Sequence, residues 1–430
     1  MSSINRRDFI KVTGAAAAIG TVGYSRFAIG GAGKKVVIVG GGIGGATAAK
    51  YIRMADPSVE VTLIEANKNY HTCFMSNEVL HGRRAIESIR FDYSGLAAHG
   101  VKVVHDWVSG IDAKGKKVTT KGGQSFAFDR CIVSPGVDFK WETIGGYDAQ
   151  VAEDIPHAWK AGPQTATLRK QLESMRNGGT VVIAPPPNPF RCPPGPYERI
   201  SLIAAYLKSN KPKSKIIVLD PKDKFSKFGL FTAAWKKYYG YGTDNSMIEW
   251  ISGAQGGKVE SIDAGSRTAQ AAVESFKADV LNVIPAQKAG KIAFDAGLVN
   301  DSGWCPVDHK TFESSQLANV HVIGDASIAS PMPKSGYSAN SQAKVCAAAV
   351  VALLNGKNPP QPSYVNTCYS IVHPGDGVSV AMVYNYADGK INKVAGSGGL
   401  TAVDAPMEIR AREEAYAHSW FNNITDDIFG

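Results

Sequence analysis

"KKVVIVGGGIGGATAAKYIRMADPSVEVTLIEA", residues 34–66, decides the fold. Its first apolar run reads as a buried strand. Gly40, Gly42 and Gly45 follow at fingerprint spacing. Gly40 permits the tight turn, Gly42 lets backbone approach a pyrophosphate, and Gly45 lets a helix pack against the strand. That helix, expected over 44–54, presents unpaired N–H groups to phosphate. "VEVTLIE" then gives a second strand ending at Glu65, where a carboxylate accepts hydrogen bonds from ribose hydroxyls. Strand, glycines, helix, strand and acid in this order define a Rossmann half-site for an adenine dinucleotide. An acidic ribose contact disfavours a 2′-phosphate, so FAD or NAD fits better than NADP.

Two downstream segments separate FAD from NAD. "LANVHVIGDASIASPMPKSGYSANSQAKVCAAAVVALLNG", residues 317–356, has a strand ending in Gly324–Asp325 and a long apolar helix expected from about Ser338. It resembles the flavin-dependent disulfide reductases. The resemblance makes Asp325 the contact to the ribityl chain and brings Tyr337 to Ser341 near the flavin ring. "NGGTVVIAPPPNPFRCPPGPYERISLIAAYLKSNKPKSKIIVLDPKD", residues 177–223, reads as a second strand–loop–helix–strand unit, with the strands at 180–184 and 215–219 and the helix at 197–208. Prolines stand where a second phosphate-binding turn would carry glycines. They stiffen the loop and remove N–H donors, so this unit is not expected to bind NAD. The loop holds Cys192, preorganised by its prolines. Glu198 follows six residues later, where a partly buried carboxylate can exchange protons near neutral pH.

The 430 residues allow two or three domains, and 44% apolar and 20% charged residues are ordinary for a globular chain. "NRRDFIK" ahead of a short small-residue apolar stretch resembles a twin-arginine export signal over 1–31, which places the mature chain in the periplasm. The apolar part is too short and weak for a spanning helix, so no integral membrane segment is expected in the mature chain. Of the formal +9 charge, Arg6, Arg7, Lys11 and Arg26 against Asp8 supply three, leaving six for the rest. That excess is scattered, with no arginine-rich run interleaved with aromatics, so nucleic acid is not an expected partner. Six cysteines occur without a CxxC pair, which disfavours a zinc or iron–sulfur site, and no metal site is expected. No CxxCH occurs, so any haem c belongs to a partner chain.

Three distant segments, "YHTCFMSNEV" (70–79), "FRCPPGPYER" (190–199) and "PSYVNTCYSI" (362–371), resemble the flavoprotein subunit of flavocytochrome c sulfide dehydrogenase, a relative of the sulfide:quinone oxidoreductases. The resemblance runs from about Lys34 to Gly430. It implies an α/β fold with two Rossmann-like domains of the glutathione-reductase-like flavoprotein type and a C-terminal α+β interface domain. The FAD domain is expected over 34–155 and 270–350, the second Rossmann-like domain over 156–269 and the interface domain over 355–430. It further implies FAD held covalently by Cys73 through an 8α-S-cysteinyl link. By the same resemblance the redox disulfide is expected at Cys192 and Cys368, with Glu198 handling protons. The resemblance also implies sulfide as the substrate and a mono- or dihaem cytochrome c subunit as the electron acceptor. Cys131 and Cys346 read as core thiols. Trp420 and Phe421 are either an electron exit route or packing aromatics.

Two other readings stay open at this level. A sulfide:quinone oxidoreductase would share the sulfur chemistry but want an apolar membrane-facing surface, whereas the tail from Met407 reads as charged. A redox-inactive sulfur carrier on the same fold would lack a flavin reducible by sulfide.

Overall fold

A computed structural model describes residues 33–430. The export signal expected over 1–31 lies outside the described residues. The opening stretch forms β1 (Lys35–Val39), α1 (Ile43–Ala55) and β2 (Glu60–Ile64). β1 is buried from Val36 to Val39, so its sequence is a continuous apolar run and not an alternation. α2 (Ser76–His81), β3 (Lys102–Val104) and β4 (Arg130–Val133) follow. β3, β2, β1 and β4 lie side by side in parallel, and a fifth strand, Val320–Val322, pairs along the outer edge of β4. Two fingerprint glycines are sterically forced. Gly40 has φ +95°, and a Cβ there would strike the Ser134 carbonyl. A Cβ on Gly45 would collide with the Gly40 carbonyl, so α1 can sit on the turn only without a side chain there.

β5 (Val137–Phe139) leads out of this domain. The second sheet comes from β6 (Thr180–Ala184), α3 (Gly195–Asn210), β7 (Lys215–Leu219), α4 (Phe228–Tyr239), β8 (Ile248–Ile251) and β9 (Val280–Val283). Its order is β8-β7-β6-β9, all parallel. β9 moves the domain boundary. Residues 280–283, expected with the first domain, complete the second sheet instead, because the strand Val280–Val283 is buried throughout against β6.

The chain returns through β10 (Gln287–Ala289), antiparallel to β5, so the two crossings between the sheets run as a pair. β11 is the late strand Val320–Val322, and α5 (Gly336–Leu354) then packs on α1, with Asn340 Nδ2 donating to Thr47 Oγ1 at 3.1 Å.

β12 (Ser363–His373), β13 (Asp376–Ala387) and β14 (Lys390–Lys393) form an antiparallel meander. β13 and β14 form a hairpin across "ADGK", residues 387–390, and β12 supplies a long third strand. α6 (Met407–Phe429) crosses back to the first domain, where Phe429 stacks on Phe91 with centroids 5.2 Å apart. Several of its charged residues are buried in ion pairs, Arg410 with Asp376 and Glu414 with Arg83, each at 2.6 Å. No helix among the described residues is long and apolar enough to cross a membrane.

Candidate active site

The three cysteine segments converge on one cavity, lined by Cys73, Cys192, Glu198 and Cys368 together with Tyr337 and Trp420. Each arrives on a different element. Cys73 lies just ahead of α2, and its carbonyl accepts from Ser76 Oγ at 2.6 Å. Met75, at φ 66°, turns the chain into that helix. Cys192 sits in the proline loop between β6 and α3 at φ 56°. The loop is pinned to the first domain, with Cys192 N donating to the Lys334 carbonyl at 2.7 Å and Arg191 N to Gln287 Oε1 at 2.9 Å. Cys368 lies mid-strand on β12, opposite Val380. All six cysteines are unbridged in this structure, and Cys192 and Cys368 stand as two thiols on a shared cavity. Burial pushes the Cys192 thiol up, and Cys368, Glu198 and Cys73 push it further. Cys131, Cys305 and Cys346 are buried away from this cavity.

Glu198 occupies the first turn of α3. Its Oε1 accepts from Ile371 N and its Oε2 from Asn77 Nδ2, each at 2.8 Å. Arg199 Nε donates to Asn77 Oδ1 at 3.3 Å, which fixes the amide with its NH₂ toward Glu198. Burial raises Glu198 above the ordinary carboxylate range, against the Ile371 N–H, Asn77 and Lys227. Asn77 and Lys227 escaped the sequence reading, as did Arg191. In Arg191 the downward pull of burial is outweighed by Cys73, Asp325, Tyr70 and Cys192, so its charge knits the cavity to the dinucleotide site.

The remaining residues suit FAD. Gly42 caps α1, and a Cβ there would meet the Tyr70 ring at 3.4 Å. Glu65 stands beside this turn, its Oε2 accepting from Gly41 N at 2.8 Å and its Oε1 from Asn67. Asp325 Oδ1 is out of solvent and has no hydrogen-bond partner. Burial raises this carboxyl while Arg191 and Lys334 oppose the shift. A buried acceptor without a donor is what a ribityl hydroxyl would satisfy. In the second sheet the equivalent turn offers Pro185, Pro186 and Pro187 directly after β6 and no glycine cradle. Trp420 lies face to face with Tyr337, centroids 5.9 Å apart, and 4.9 Å from Phe74.

One group with metal-ligand spacing occurs among the described residues, Glu78, Glu414 and His418. Its carboxylates are already engaged by Arg83, Arg84 and His418, which makes it an ion-pair network tying α6 to α2.

A parallel five-stranded dinucleotide sheet, a second Rossmann-like sheet and a cysteine-lined cavity between them define a two-domain flavoprotein of the disulfide-reductase architecture. The family model for the flavoprotein chain of flavocytochrome c sulfide dehydrogenase, central region, matches residues 165–285, and the flavin-binding model of the same enzyme matches 360–429. A pyridine nucleotide-disulphide oxidoreductase model matches 34–170. The flavocytochrome c sulfide dehydrogenase flavoprotein chain of Chlorobaculum thiosulfatiphilum is 56% identical over 46 residues, 11% of this chain and 96% of that one. The mitochondrial sulfide:quinone oxidoreductase of Dictyostelium discoideum is 21% identical over 321 residues, 72% of this chain and 69% of its own. Among solved structures, the sulfide:quinone oxidoreductase of Aquifex aeolicus superposes with a TM-score of 0.66 at 16% identity, covering 92% of both chains. The chain belongs to the family of flavocytochrome c sulfide dehydrogenase flavoprotein chains, and it is an FAD-dependent oxidoreductase of the sulfide dehydrogenase type.

Proposed function

We propose that this chain oxidises sulfide at a Cys192–Cys368 disulfide beside FAD and delivers the electrons to a haem c subunit. The observation that carries the reading is the meeting of Cys73, Cys192, Glu198 and Cys368 on one cavity. Gly40, Gly42, Gly45, Glu65 and Asp325 would hold the dinucleotide, and Cys73 would bond its ring covalently. FAD, when bound, supplies a two-electron acceptor that can release its electrons singly.

The chain's own chemistry is sulfur exchange. Hydrosulfide bonds to one cysteine sulfur of the oxidised pair, the cysteine–cysteine bond breaks, and the other cysteine leaves as a thiolate with the electron pair. Charge is conserved in that step. Releasing zero-valent sulfur and restoring the disulfide then requires loss of two electrons and the persulfide proton. Glu198, which lines the same cavity as both thiols, is the proton acceptor in this reading, and the Asn77 and Ile371 donors orient it. Arg6 and Arg7 support export to the periplasm, where the disulfide would persist.

A second reading, a quinone acceptor, draws on one surface feature. Leu400, Val403, Met407, Ile409 and Tyr416 are all exposed apolar or aromatic residues within a short stretch of the C-terminal region. An anaerobic donor and acceptor panel separates the readings. Sulfide should bleach the flavin and NADH should not. Oxidised cytochrome c should then restore its colour and a short-chain quinone should not. Bleaching by micromolar NADH, or reoxidation by quinone alone, overturns the assignment.

The Cys73 link has its own outcome. Acid-denatured protein separated by size should keep its yellow colour on the chain, and Cys73→Ala should release it as free flavin. Free flavin from the unaltered protein would show that Cys73 only lines the site.

A further inference from the structure

Lys227 precedes α4 and takes no part in the chemistry above. It is only 6% exposed. Its ammonium donates to the Cys368 carbonyl at 2.5 Å, Ser370 Oγ at 3.1 Å and the Val378 carbonyl at 3.5 Å. All three acceptors are neutral. Its backbone lies in the left-handed region at φ 61°, ψ 30°, which a non-glycine residue adopts at some cost. A buried ammonium without an ionised hydrogen-bonding partner is more costly still. A neutral amide could tie two carbonyls and a hydroxyl together without desolvating a charge. The positive charge is therefore more than the packing requires.

The groups that draw on this charge are Cys368, Glu198, Cys192 and Glu413, in falling order, and burial opposes them all by pulling the ammonium below its ordinary range. They reach it from β12, α3, the proline loop and α6. Arg191 faces Cys192 from the same loop, and Tyr384 faces Cys368 from β13. Among these groups the two cysteine sulfurs carry the negative charge that sulfur exchange relocates, while Glu198 changes charge only as it takes the proton.

We propose that Lys227 is the fixed counter-charge of the sulfur cavity, drawing anionic sulfur species to Cys368 and balancing the negative charge that moves through the pair. The inference rests on the sulfur-exchange reading of the site. When the hydrosulfide sulfur bonds to one cysteine and the other departs as thiolate, one negative charge is relocated within the field of the same ammonium. No further oxidant or reductant enters. Lys227 acts through this field as a positioning residue and does not bond to sulfur.

The test measures the field without sulfide. Reduced, flavin-loaded protein is alkylated at one pH with iodoacetate, an anion, and with iodoacetamide, which is neutral. The ratio of the two rates at Cys368, read by peptide mass spectrometry, cancels the thiolate fraction and leaves the local potential. In the native protein the ratio should exceed that of the denatured chain by about tenfold. Lys227→Met, checked for flavin content and a cooperative thermal transition, should lose that excess, and Lys227→Arg should retain it. The apparent sulfide dissociation constant should rise by about tenfold in Lys227→Met. A native ratio equal to that of the denatured chain, a comparison that needs no variant, overturns the proposal. So does an unchanged ratio in folded Lys227→Met. Failure of the sulfur-exchange reading would show instead as sulfide-driven reduction surviving in Cys368→Ser, whatever the alkylation ratio.

Discussion

Cys368→Ser should fold, keep its flavin on the chain and lose sulfide-driven flavin reduction to the level seen without protein. The strand explains why folding survives. Cys368 is held in the β12–β13 ladder by backbone pairing with Val380, and serine keeps both the β-carbon and the ladder. The rival role, a purely structural bridge, predicts the reverse: lowered thermal stability with reduction intact. Anaerobic rapid mixing with sulfide, after thermal and flavin checks, distinguishes the two. Reduction at the native rate in a well-folded variant removes Cys368 from the chemistry. A peptide map of the oxidised protein should recover Cys192 joined to Cys368. Cys192 joined to Cys305 would assign the pair to the wrong residue.

Glu198→Gln should slow sulfide-driven reduction by roughly 10²–10⁴-fold, the usual worth of a positioned acid or base. The amide can still accept from Ile371 N, but its NH₂ group then opposes the Asn77 NH₂ that Arg199 holds in place. The pH dependence has a definite sign. Burial raises the Glu198 carboxyl, so it gains its proton at a higher pH than an exposed glutamate. The base form is lost as pH falls through that raised value, and the native rate should fall on the acid side above the ordinary carboxylate range. The glutamine variant should show no such limb. An unchanged rate and profile would leave Glu198 as a helix-start carboxylate.

The dinucleotide half-site was legible because its requirements are local. A glycine forced by a carbonyl contact and an acid at the end of β2 leave fixed spacings in the sequence. The two cavity cysteines were legible only through segment resemblance, since nothing in the spacing of Cys192 and Cys368 brings them to one cavity. Lys227 was missed for a physical reason. "KFSKFGLF" reads as a solvated basic turn, and its lysine is buried only because β12 and β13 lie over it. The boundary at 270 failed because a buried parallel strand such as Val280–Val283 is equally apolar in either sheet. The tail from Met407 looked merely charged. Arg410 and Glu414 interrupt its apolar period, yet both are buried in ion pairs.

The late arrival of β11 sets an order of events during synthesis. β4 ends at Val133, but its outer edge stays unpaired until Val320–Val322 has been made. Every residue of the second sheet is translated in that interval, and Asp325 follows directly after β11. A nascent chain can therefore shape the glycine turn early but cannot enclose a dinucleotide until the inserted domain has been completed. Cofactor retention thus becomes a proofreading step for the whole polypeptide, and a lesion far out in the inserted domain would first show itself as a pale, flavin-poor protein.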